Sequence, residues 1–437
     1  MIEAALYNQC VRCGLCLPTC PTYIETLTET SGPRGRISLI KDVAEGRLDV
    51  LSPGFVHQMS ECLDCRACAA VCPSGVQYGT LVESARARIE RATAPKRGSF
   101  SRFGRWFTLK ALFGNLGLMR FAATLLRFYQ RSGLQSLVRA TGLLRLFRLS
   151  ETEAFAPSIS KRYFVPNNQV FDTPGARLKV MLHAGCVMQV AFAQVHDATV
   201  RVLTANRCTV VVPADQGCCG AIAVHAGEPE FAETLAKRNI EAFETSGADF
   251  YIVNAAGCGS ALKEYGELLS GDPRWADRAE SFAAHVRDVL EFLDQLQLNP
   301  RIGKLDETVT YQEPCHLVHA QRISDAPRRL LAQIPGLQFR EMNESSVCCG
   351  SAGIYNLTEP AMSKRLRERK VANIMQTGAH VIATANPGCD MQVTAGLKSA
   401  GYNARVRHVV ELLDEAYRNY SDGTSRSRSS SAASVDG

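Results

Sequence analysis

Eight cysteines in two short runs near the amino end are the residues with the most evident chemistry. Both runs have the spacing C-x2-C-x2-C-x3-C followed by proline, and their members are Cys10, Cys13, Cys16 and Cys20, then Cys62, Cys65, Cys68 and Cys72. This spacing is typical of proteins in which clustered thiolates hold an iron–sulfur cubane. The two runs therefore predict two [4Fe–4S] clusters, each of which changes its charge by one and so transports single electrons.

The fourth cysteine of each run is expected to ligate the cluster of the other run, as in two-cluster ferredoxins. One predicted ligand set is therefore Cys10, Cys13, Cys16 and Cys72, and the other is Cys62, Cys65, Cys68 and Cys20. Structural zinc needs only four ligands, usually in two separated pairs. Disulfides are disfavoured because the start of the chain does not read as a signal peptide, which predicts a reducing compartment.

Eight further cysteines indicate an internal duplication. In the first copy, 31 residues separate Cys186 from a Cys-Cys-Gly doublet and 38 more precede a last cysteine; in the second copy, 32 and 39 residues do so. The members are Cys186, Cys218, Cys219 and Cys258 in the first copy and Cys315, Cys348, Cys349 and Cys389 in the second. Spacing matched to one residue predicts two copies of one module.

Each Cys-Cys-Gly doublet predicts two thiolates at a tight turn that leads into a helix. Gly220 and Gly350 would permit an unusual backbone angle or a close approach. With the cysteines before and after it, each doublet would complete a four-thiol site for a further cluster or metal. The alternative is buried, inert cysteines of a core, the interpretation given to Cys208, which has no counterpart in the second copy.

The pattern around these cysteines predicts the elements that position them. Short β-branched runs alternate with helical patterns in both copies, which favours parallel sheets with crossover helices. Several cysteines then follow strand ends, where open α/β sheets place their sites. The predicted fold class of the 437-residue chain is multidomain α + α/β: an all-α two-cluster ferredoxin-type domain over 1–95, a basic helical linker over 96–165, α/β modules over 176–300 and 305–417, and a disordered tail over 418–437.

The linker region makes the protein basic. Residues 91–150 hold twelve Lys and Arg and no Asp or Glu, although the net charge of the chain is only +6. Apolar residues share two predicted helical faces, Trp106, Leu109 and Phe113 on one and Phe121, Leu125 and Phe128 on the other. Residues 96–150 would either lie on an anionic membrane surface or form a solvated or subunit-contacting linker. No recognition motif supports nucleic-acid binding, and no stretch reads as a membrane span.

Several polar residues near the cysteines have two interpretations each. The histidines would tune or ligate a cluster, or shuttle protons, but a lone histidine near a loop is more often only hydrogen-bonded; they are His183, His225, His316 and His319. Glu313 and Asp390 are weaker candidates of the same kind. Arg34 and Arg36 would donate to a cluster, dock a partner or form a surface salt bridge.

Seven segments together closely resemble the iron–sulfur subunits of bacterial glycolate oxidases: CVRCGLCLPTCPTY, GPRGRISLIK, CLDCRACAAVCPSGV, GCCGAIAVH, GCGSALKEYG, CCGSAGIYNLT and TANPGCDMQ. The resemblance covers about residues 7–417. The wider family with Cys-Cys-Gly (CCG) modules includes iron–sulfur subunits of anaerobic glycerol-3-phosphate dehydrogenase, lactate-utilisation proteins and heterodisulfide reductases.

The resemblance implies an electron-transfer subunit of an oxidoreductase that acts on CH–OH groups. FAD-binding partner subunits would oxidise glycolate to glyoxylate, and electrons would pass through this chain to quinone or another membrane acceptor. The chain itself would hold no catalytic residue for glycolate and would be cytoplasmic, peripheral at the inner face of the cell membrane. The alternatives are a subunit of a lactate or anaerobic glycerol-3-phosphate dehydrogenase, a heterodisulfide-reductase-like catalytic reductase, and a metal-dependent regulatory module.

The chain departs from the heterodisulfide-type pattern at one point. Those modules often end in Cys-x-x-Cys, whereas this sequence has Ala-Ala-Gly-Cys at 255–258 and Asn-Pro-Gly-Cys at 386–389. Each module thus has four cysteines in the pattern rather than five. A five-thiolate cluster is therefore in doubt, and an ordinary cluster, a different metal and an empty site all stay open.

Overall fold

A computed structural model describes residues 4–142, 144, 153 and 156–432 of the chain, with side chains as far as Tyr420. The amino-terminal region is entirely helical, as predicted. Its helices are Ala4–Asn8, Pro21–Thr26, Pro33–Ala44, Pro53–Glu61, Ala67–Ala70 and Tyr78–Thr93, with 3₁₀ turns at Glu29–Ser31 and Ala94–Lys96.

Prolines and an apolar stripe determine this region. Pro21, Pro33 and Pro53 each occupy the start of a helix, where a fixed φ and a missing N–H cost nothing. On the helix Pro33–Ala44, Ile37, Ile40 and Val43 are buried, which matches the helical spacing of its apolar residues. The helix packs against Tyr78–Thr93, so the two cysteine runs are brought to the same side of a small core.

The linker forms a chain of short helices. They are Ser99–Arg105, a π-helical turn at Trp106–Ala111, Leu112–Gly114, Leu116–Arg131 and Leu134–Ala140. The chain breaks at Asn115, whose side chain caps the next helix by accepting from the backbone N–H groups of Gly117 and Leu118. Gly117 lies within the first turn of this helix.

No single described helix is long and apolar enough to cross a membrane. The segments Ser99–Gly114 and Leu116–Arg131 meet the length and composition criteria only when taken together, and they are bent by 107° at their junction.

Each predicted module contains a parallel sheet. The first sheet consists of β1 (Gln169–Phe171), β2 (Leu178–Leu182), β3 (Cys208–Val212), β4 (Phe250–Val253) and β5 (Val286–Asp288), in the order β1-β3-β2-β4-β5 with only β1 antiparallel. The second consists of β6 (Thr308–Tyr311), β7 (Gln338–Phe339), β8 (Val381–Thr384) and β9 (Arg405–His408), in the order β7-β6-β8-β9. Apart from the edge strand β1, both sheets have the same strand order, which confirms the duplication.

Helices surround both sheets. In the first module they are Val187–Ala191, Ala193–Ala205, Ala221–His225, Pro229–Ser246, Ala256–Lys263, Tyr265–Leu268, Ala276–His285 and Val289–Gln295. In the second they are a π-helical turn at His316–Ala320, then Asp325–Ala332, Tyr355–Thr358, Pro360–Thr377, Pro387–Ser399 and Val409–Ala432.

The last helix continues into the segment from residue 418 that was predicted to be a disordered tail. It runs to Ala432, and residues 433–437 lie outside the described residues. Its first turns are held by the buried side chains of Val410, Leu413 and Ala416.

The two modules face each other through their cysteine-bearing loops. The helix Val409–Ala432 of the second module packs on Ala193–Ala205 of the first, and Arg201 pairs with Asp414 across this contact at 2.7 Å. Beyond the strand ends, the Ala256 N–H donates to the Ala385 carbonyl at 3.0 Å. The carboxyl ends of β4 and β8 therefore meet at one interface.

Candidate metal centres

The first predicted cluster set lies near the surface. Cys10, Cys13, Cys16 and Cys72 line one small cavity, so three thiols of the first run meet the last thiol of the second. The loop that carries the first three curls around the cavity through positive φ angles at Arg12 and Gly14. Cys13 is exposed and the other three are half-buried. Burial and the neighbouring thiols raise the pKa of Cys16 to about 11, a repulsion that bound iron would relieve.

The second predicted set is fully enclosed. Its four thiols line a second cavity and are all buried; they are Cys20, Cys62, Cys65 and Cys68. Burial first, and then the nearby thiols, raise the pKa of Cys65 and Cys68 well above the usual value. Four convergent sulfurs in one enclosed cavity fit an iron–sulfur cubane. That these two sets ligate the clusters stays a prediction, but the chain brings them together as that prediction requires.

Arg36 supports the enclosed set from behind. Its side chain is 1% exposed and its guanidinium pairs with Glu61 at 3.0 Å. It also donates to the Thr22 hydroxyl at 3.0 Å, and the Cys62 and Cys20 sulfurs are among the charges that raise its pKa. Arg36 is therefore a buried cation beside the cluster set, whereas Arg34 forms the partly exposed salt bridge with Glu29 at 2.6 Å.

Each module gathers its four cysteines at the carboxyl ends of its strands. In the first, the sulfurs of Cys186 and Cys218 are 3.6 Å apart, and in the second those of Cys315 and Cys348 are 3.7 Å apart. The lone cysteine follows the central strand β2 or β6. Strand order reverses beside these strands, and open α/β sheets form their sites at such a point.

The glycine of each doublet has the backbone angle that the sequence predicts. Gly220 has φ +84° and Gly350 has φ +87°. A Cβ on Gly350 would lie 2.8 Å from the Ser363 carbonyl oxygen, so the turn requires glycine for both angle and space. Gly220 leads directly into the helix Ala221–His225, but no helix follows Gly350 until Tyr355. The predicted turn-to-helix step is therefore wrong for the second doublet, where Tyr355 reaches across to donate to the Glu61 carbonyl at 2.8 Å.

The thiols of the two module sets share one interaction. The hydrogen bond between Cys186 and Cys218 lowers the pKa of Cys218 well below its usual value, and the one between Cys315 and Cys348 does so for Cys348. In the first module, hydrogen bonds with Cys219 and His183 also lower the pKa of Cys258 to about 6. Ionised thiols are thus favoured in both sets, which favours metal ligation. The sets fit a soft or borderline metal or a further cluster.

The enclosed cluster set touches the second module. Cys65 belongs to one apolar cluster with Cys315 and Cys348, together with Leu63 and Tyr355. The thiols of Cys65 and Cys348 are close enough to raise the pKa of Cys65. Three of the four thiol sets therefore follow one another from the exposed Cys13 to the core of the second module.

A cavity of about 480 Å³ lies between the helix Tyr78–Thr93, the first module and the π-helical turn His316–Ala320. The thiol of Cys219 opens into it, so a bound molecule would meet the first module's thiol set. Charged and imidazole side chains of both signs line the rest of the wall, among them Arg66, Glu83, His225, Glu264 and His316.

A buried charge network below this cavity was not predicted from the sequence. Asp64 is fully buried, with Arg66 at 3.1 Å and His225 at 3.2 Å. Arg66 also pairs with Glu83 at 2.6 Å and Glu264 at 3.4 Å. Burial opposes ionisation of Asp64, but the charge of Arg66 and the hydrogen bond from His225 outweigh it and hold the pKa below its usual range. The available signal was two charged residues inside a cysteine run that folds inward.

The remaining candidate residues lie in different surroundings. His183 faces the first module's thiols, whereas His225 and His316 meet edge-on with ring centroids 5.6 Å apart. His319 lies 3.1 Å from the Ser346 carbonyl and Glu313 pairs with Arg328 at 2.7 Å, so both are satisfied within the fold. Burial raises the pKa of Asp390 to about 7. Cys208 is a buried core residue of β3.

Family models match about two thirds of the chain. Residues 7–76 match the family "4Fe-4S dicluster domain", residues 180–263 and 309–394 both match "Cysteine-rich domain", and residues 100–156 match "Glycolate oxidase iron-sulfur subunit, linker region". The predicted fold class, two [4Fe–4S] clusters and repeated cysteine-rich modules are thereby confirmed. The linker match covers most of the basic helical segment between the cluster domain and the modules.

Individual relatives agree with these family matches. The chain is 41% identical over 425 residues to the probable glycolate oxidase iron-sulfur subunit of Bacillus subtilis strain 168, covering 95% of each chain. It is 32% identical over 417 residues to the glycolate oxidase iron-sulfur subunit of Escherichia coli strain K12, covering 94% of each. Lactate utilization protein A of Shouchella clausii is 32% identical over 238 residues, 54% of this chain and 99% of that one. The full-length matches show that the chain belongs to the family of glycolate oxidase iron–sulfur subunits.

Proposed function

We propose that this chain relays single electrons from FAD on partner subunits, which oxidise glycolate to glyoxylate, to a quinone in the membrane. Glycolate loses two electrons and two protons in that oxidation, and quinone takes up two of each to become hydroquinone. The iron–sulfur chain accepts the electrons one at a time, because each cluster changes its charge by one. The names of the full-length relatives support glycolate as the substrate of the complex.

The observation that carries this proposal is the succession of thiol sets. The set with exposed Cys13 offers an entrance at the surface, and the enclosed set with Cys65 packs against Cys315 and Cys348. A path of contacts therefore leads from the surface into the second module. The cavity beside Cys219 supports an exit, since a molecule bound there would touch the first module's thiols.

An apolar patch beside the entrance supports docking of a flavoprotein there. Val11 and Leu15, which flank Cys13, are 68% and 56% exposed, and Val71 is 40% exposed. Exposed apolar residues clustered around a redox group are typical of a protein–protein contact. We propose that the FAD-binding partner covers these residues.

The linker supports peripheral contact with the inner face of the cell membrane. Its arginines face the protein: Arg120 donates to the Gln189 side chain, and Arg127 and Arg131 donate to carbonyls of residues 159–161. Its aromatic residues face outward instead. Those at least half exposed are Phe100, Phe103, Trp106, Phe121 and Phe128, the residue type that inserts at a lipid interface.

The linker also lies beside the cavity. Arg105 and Lys110 both pair with Glu228, at 3.2 and 3.0 Å, and the next residue, Pro229, lines the cavity wall. The outward aromatic face of the linker and the cavity that contains Cys219 are thus neighbours, so an acceptor dissolved in lipid would reach Cys219 from that face. This arrangement supports quinone over a soluble acceptor.

The same cavity favours a second candidate, a reductase of the heterodisulfide type with its chemistry on the module thiols. In that case a soluble disulfide would replace quinone as the acceptor in the cavity. Lactate and glycerol 3-phosphate stay alternative donors, because the partner subunits would hold the donor site.

The test uses the complex purified with its flavin subunits under anaerobic conditions. Cys65→Ser is expected to abolish glycolate-driven quinone reduction while the flavin is still reduced by glycolate. Cys208→Ser, a buried cysteine outside every thiol set, is the matched control and should keep wild-type turnover. Flavin reduction by lactate or glycerol 3-phosphate but not by glycolate, or full quinone reduction by Cys65→Ser, would contradict the proposal.

A further inference from the structure

The two modules share a fold, but a different residue follows the equivalent strand, β2 or β6, in each. His183 follows β2, and Gln312 follows β6. The His183 N–H donates to the Ile252 carbonyl at 2.9 Å, and the Gln312 N–H donates to the Ala383 carbonyl at 2.9 Å. The two side chains thus start from the same point of the duplicated fold, so any difference in their surroundings reflects the residues themselves.

The His183 ring is directed into the first module's thiol set. The residue is 2% exposed. A ring nitrogen of His183 and the sulfurs of Cys219 and Cys258 all lie within 4.8 Å of one another. Nε2 has no hydrogen-bonding nitrogen or oxygen partner among the described residues. A buried, unpartnered imidazole nitrogen beside two thiols has the arrangement of a metal ligand.

The other ring nitrogen is held in place by a tyrosine. Nδ1 of His183 lies 2.7 Å from the hydroxyl of Tyr251, which is fully buried in β4. Metal-binding histidines almost always use their second nitrogen in such a hydrogen bond, which fixes the ring and its tautomer. When Nδ1–H donates to the tyrosine oxygen, Nε2 keeps the lone pair that a metal requires.

The second module has neither residue of this pair. Ile382 occupies the position of Tyr251 in the matching strand. The Gln312 amide turns to its own surroundings, accepting from the Thr384 hydroxyl at 2.8 Å and donating to the Glu313 carbonyl at 2.7 Å. The nearest imidazole, that of His316, lies 3.5 Å from the Cys315 sulfur, a hydrogen-bond distance to one thiol only.

We propose that His183 is a nitrogen ligand of the first module's centre, which therefore has a donor set of four thiolates and one imidazole. It would supply the fifth donor that the sequence lacks, since Ala255 stands where heterodisulfide-type modules have a fifth cysteine. A set of five donors suits an iron–sulfur centre, whereas zinc in a structural site would use only four of them, the imidazole among these. The second module keeps a set of thiolates, so the duplicated modules hold different centres.

The two modules also differ in position. The first is the module whose thiol opens into the 480 Å³ cavity, so its position matches that of a terminal electron carrier.

The test compares anaerobically purified full-length chains that carry ¹⁵N-labelled histidine. His183→Gln gives the first module the residue of the second, and His196→Gln is the control, a fully buried histidine of the same module near the Ala184 carbonyl and Asn254. Wild type and the control are expected to show a directly bonded histidine nitrogen. It is read by magnetic resonance of an iron centre, or by absorption at the zinc edge if the extra metal is zinc. His183→Gln is expected to lose that nitrogen or the metal of one centre.

Tyr251→Phe tests the positioning role without removing the ligand. It should keep the metal content of wild type but alter the nitrogen coupling, because the ring loses its hydrogen bond. The proposal is overturned if His183→Gln keeps both the metal content and the spectra of wild type. It is equally overturned if wild type shows no histidine nitrogen bonded to metal, since His183 would then only donate a hydrogen bond to sulfur.

Discussion

Single charged residues at the domain junction are held in surroundings that allow few substitutions. Asp64 has no exposed side-chain surface and shares Arg66 with Glu83 and Glu264. A buried ion network of this kind is not strong evidence of net stability, but removing one member leaves its partners charged and desolvated. The junction is therefore sensitive to the loss of one charge.

Asp64→Asn is expected to destabilise the protein by about 3 kcal/mol, because the guanidinium of Arg66 loses its buried counter-charge. Urea unfolding of the cluster-loaded chain measures this, together with the iron content. Asp306→Asn is the control, since Asp306 pairs with Lys304 at the surface, where both side chains are about two-thirds exposed, and should change little. Equal stability of the two variants would contradict the role of the network.

Buried neutral histidines predict a loss of stability in acid. Burial lowers the pKa of His196 to about 3, whereas an unfolded histidine titrates near 6.5. The unfolded chain therefore binds the proton first, and stability present above pH 6.5 is lost as the pH falls toward 3. His196→Gln is expected to reduce this loss by about 1 kcal/mol between pH 6.5 and 5.5. The prediction is contradicted if the free energy of unfolding of wild type and of His196→Gln falls by the same amount over that pH interval.

Helical and strand elements differ in how far the sequence predicts them. The strands β2, β3, β4, β6 and β8 were predicted from short apolar runs, which are rich in β-branched residues. β5, β7 and β9 were not, because they are two to four residues long and carry polar side chains in sequences such as VRD and RVRH. Pairing with a neighbouring strand, rather than their own pattern, makes them strands.

The linker shows a second limit of prediction from sequence. Periodicity indicated an apolar and a basic face but could not tell which face is buried. The arginines of Leu116–Arg131 turn inward because carbonyls of residues 159–161 are available as acceptors, and the face with Phe121 and Phe128 is left outside. The helix was predicted from its sequence, but the direction in which its faces point depends on residues 159–161, which are distant along the chain.

Phe121→Glu combined with Phe128→Glu is expected to weaken binding to vesicles with anionic lipids at least tenfold, because a charged face is repelled from lipid. Co-sedimentation of the full-length protein with such vesicles measures it. Val170→Glu is the control, since Val170 is equally exposed, at 61%, on the edge strand β1. If both variants bind as wild type does, or if the double variant loses a flavoprotein partner instead, the face is not a membrane contact.

At the scale of the whole molecule, the cluster domain and the first module are packed backbone to backbone. Gly227, at φ +78°, lies so close to the helix Tyr78–Thr93 that a Cβ would be 2.7 Å from the Arg86 carbonyl oxygen. This closeness could not be predicted, because the sequence fixes spacing within each module and not between modules. The relative position of the thiol sets depends on such contacts.

Gly227→Ala is therefore expected to cost about 3 kcal/mol of stability, from the positive φ and from displacement of the neighbouring helix. Gly46→Ala separates the two effects. Gly46 also has a positive φ, +74°, but nothing lies within 4 Å of its Cβ position, so about 1 kcal/mol is expected. Anaerobic urea unfolding measures both, and equal losses would show that the contact at Arg86 has no energetic weight.

The exposure of Cys13 has a consequence for damage by oxygen. An oxidant arriving from solution meets this sulfur and its iron before any of the enclosed ones. Damage would therefore begin at the end of the protein where electrons enter. A molecule damaged there would no longer accept electrons, so its interior clusters would stay oxidised and could not reduce dioxygen.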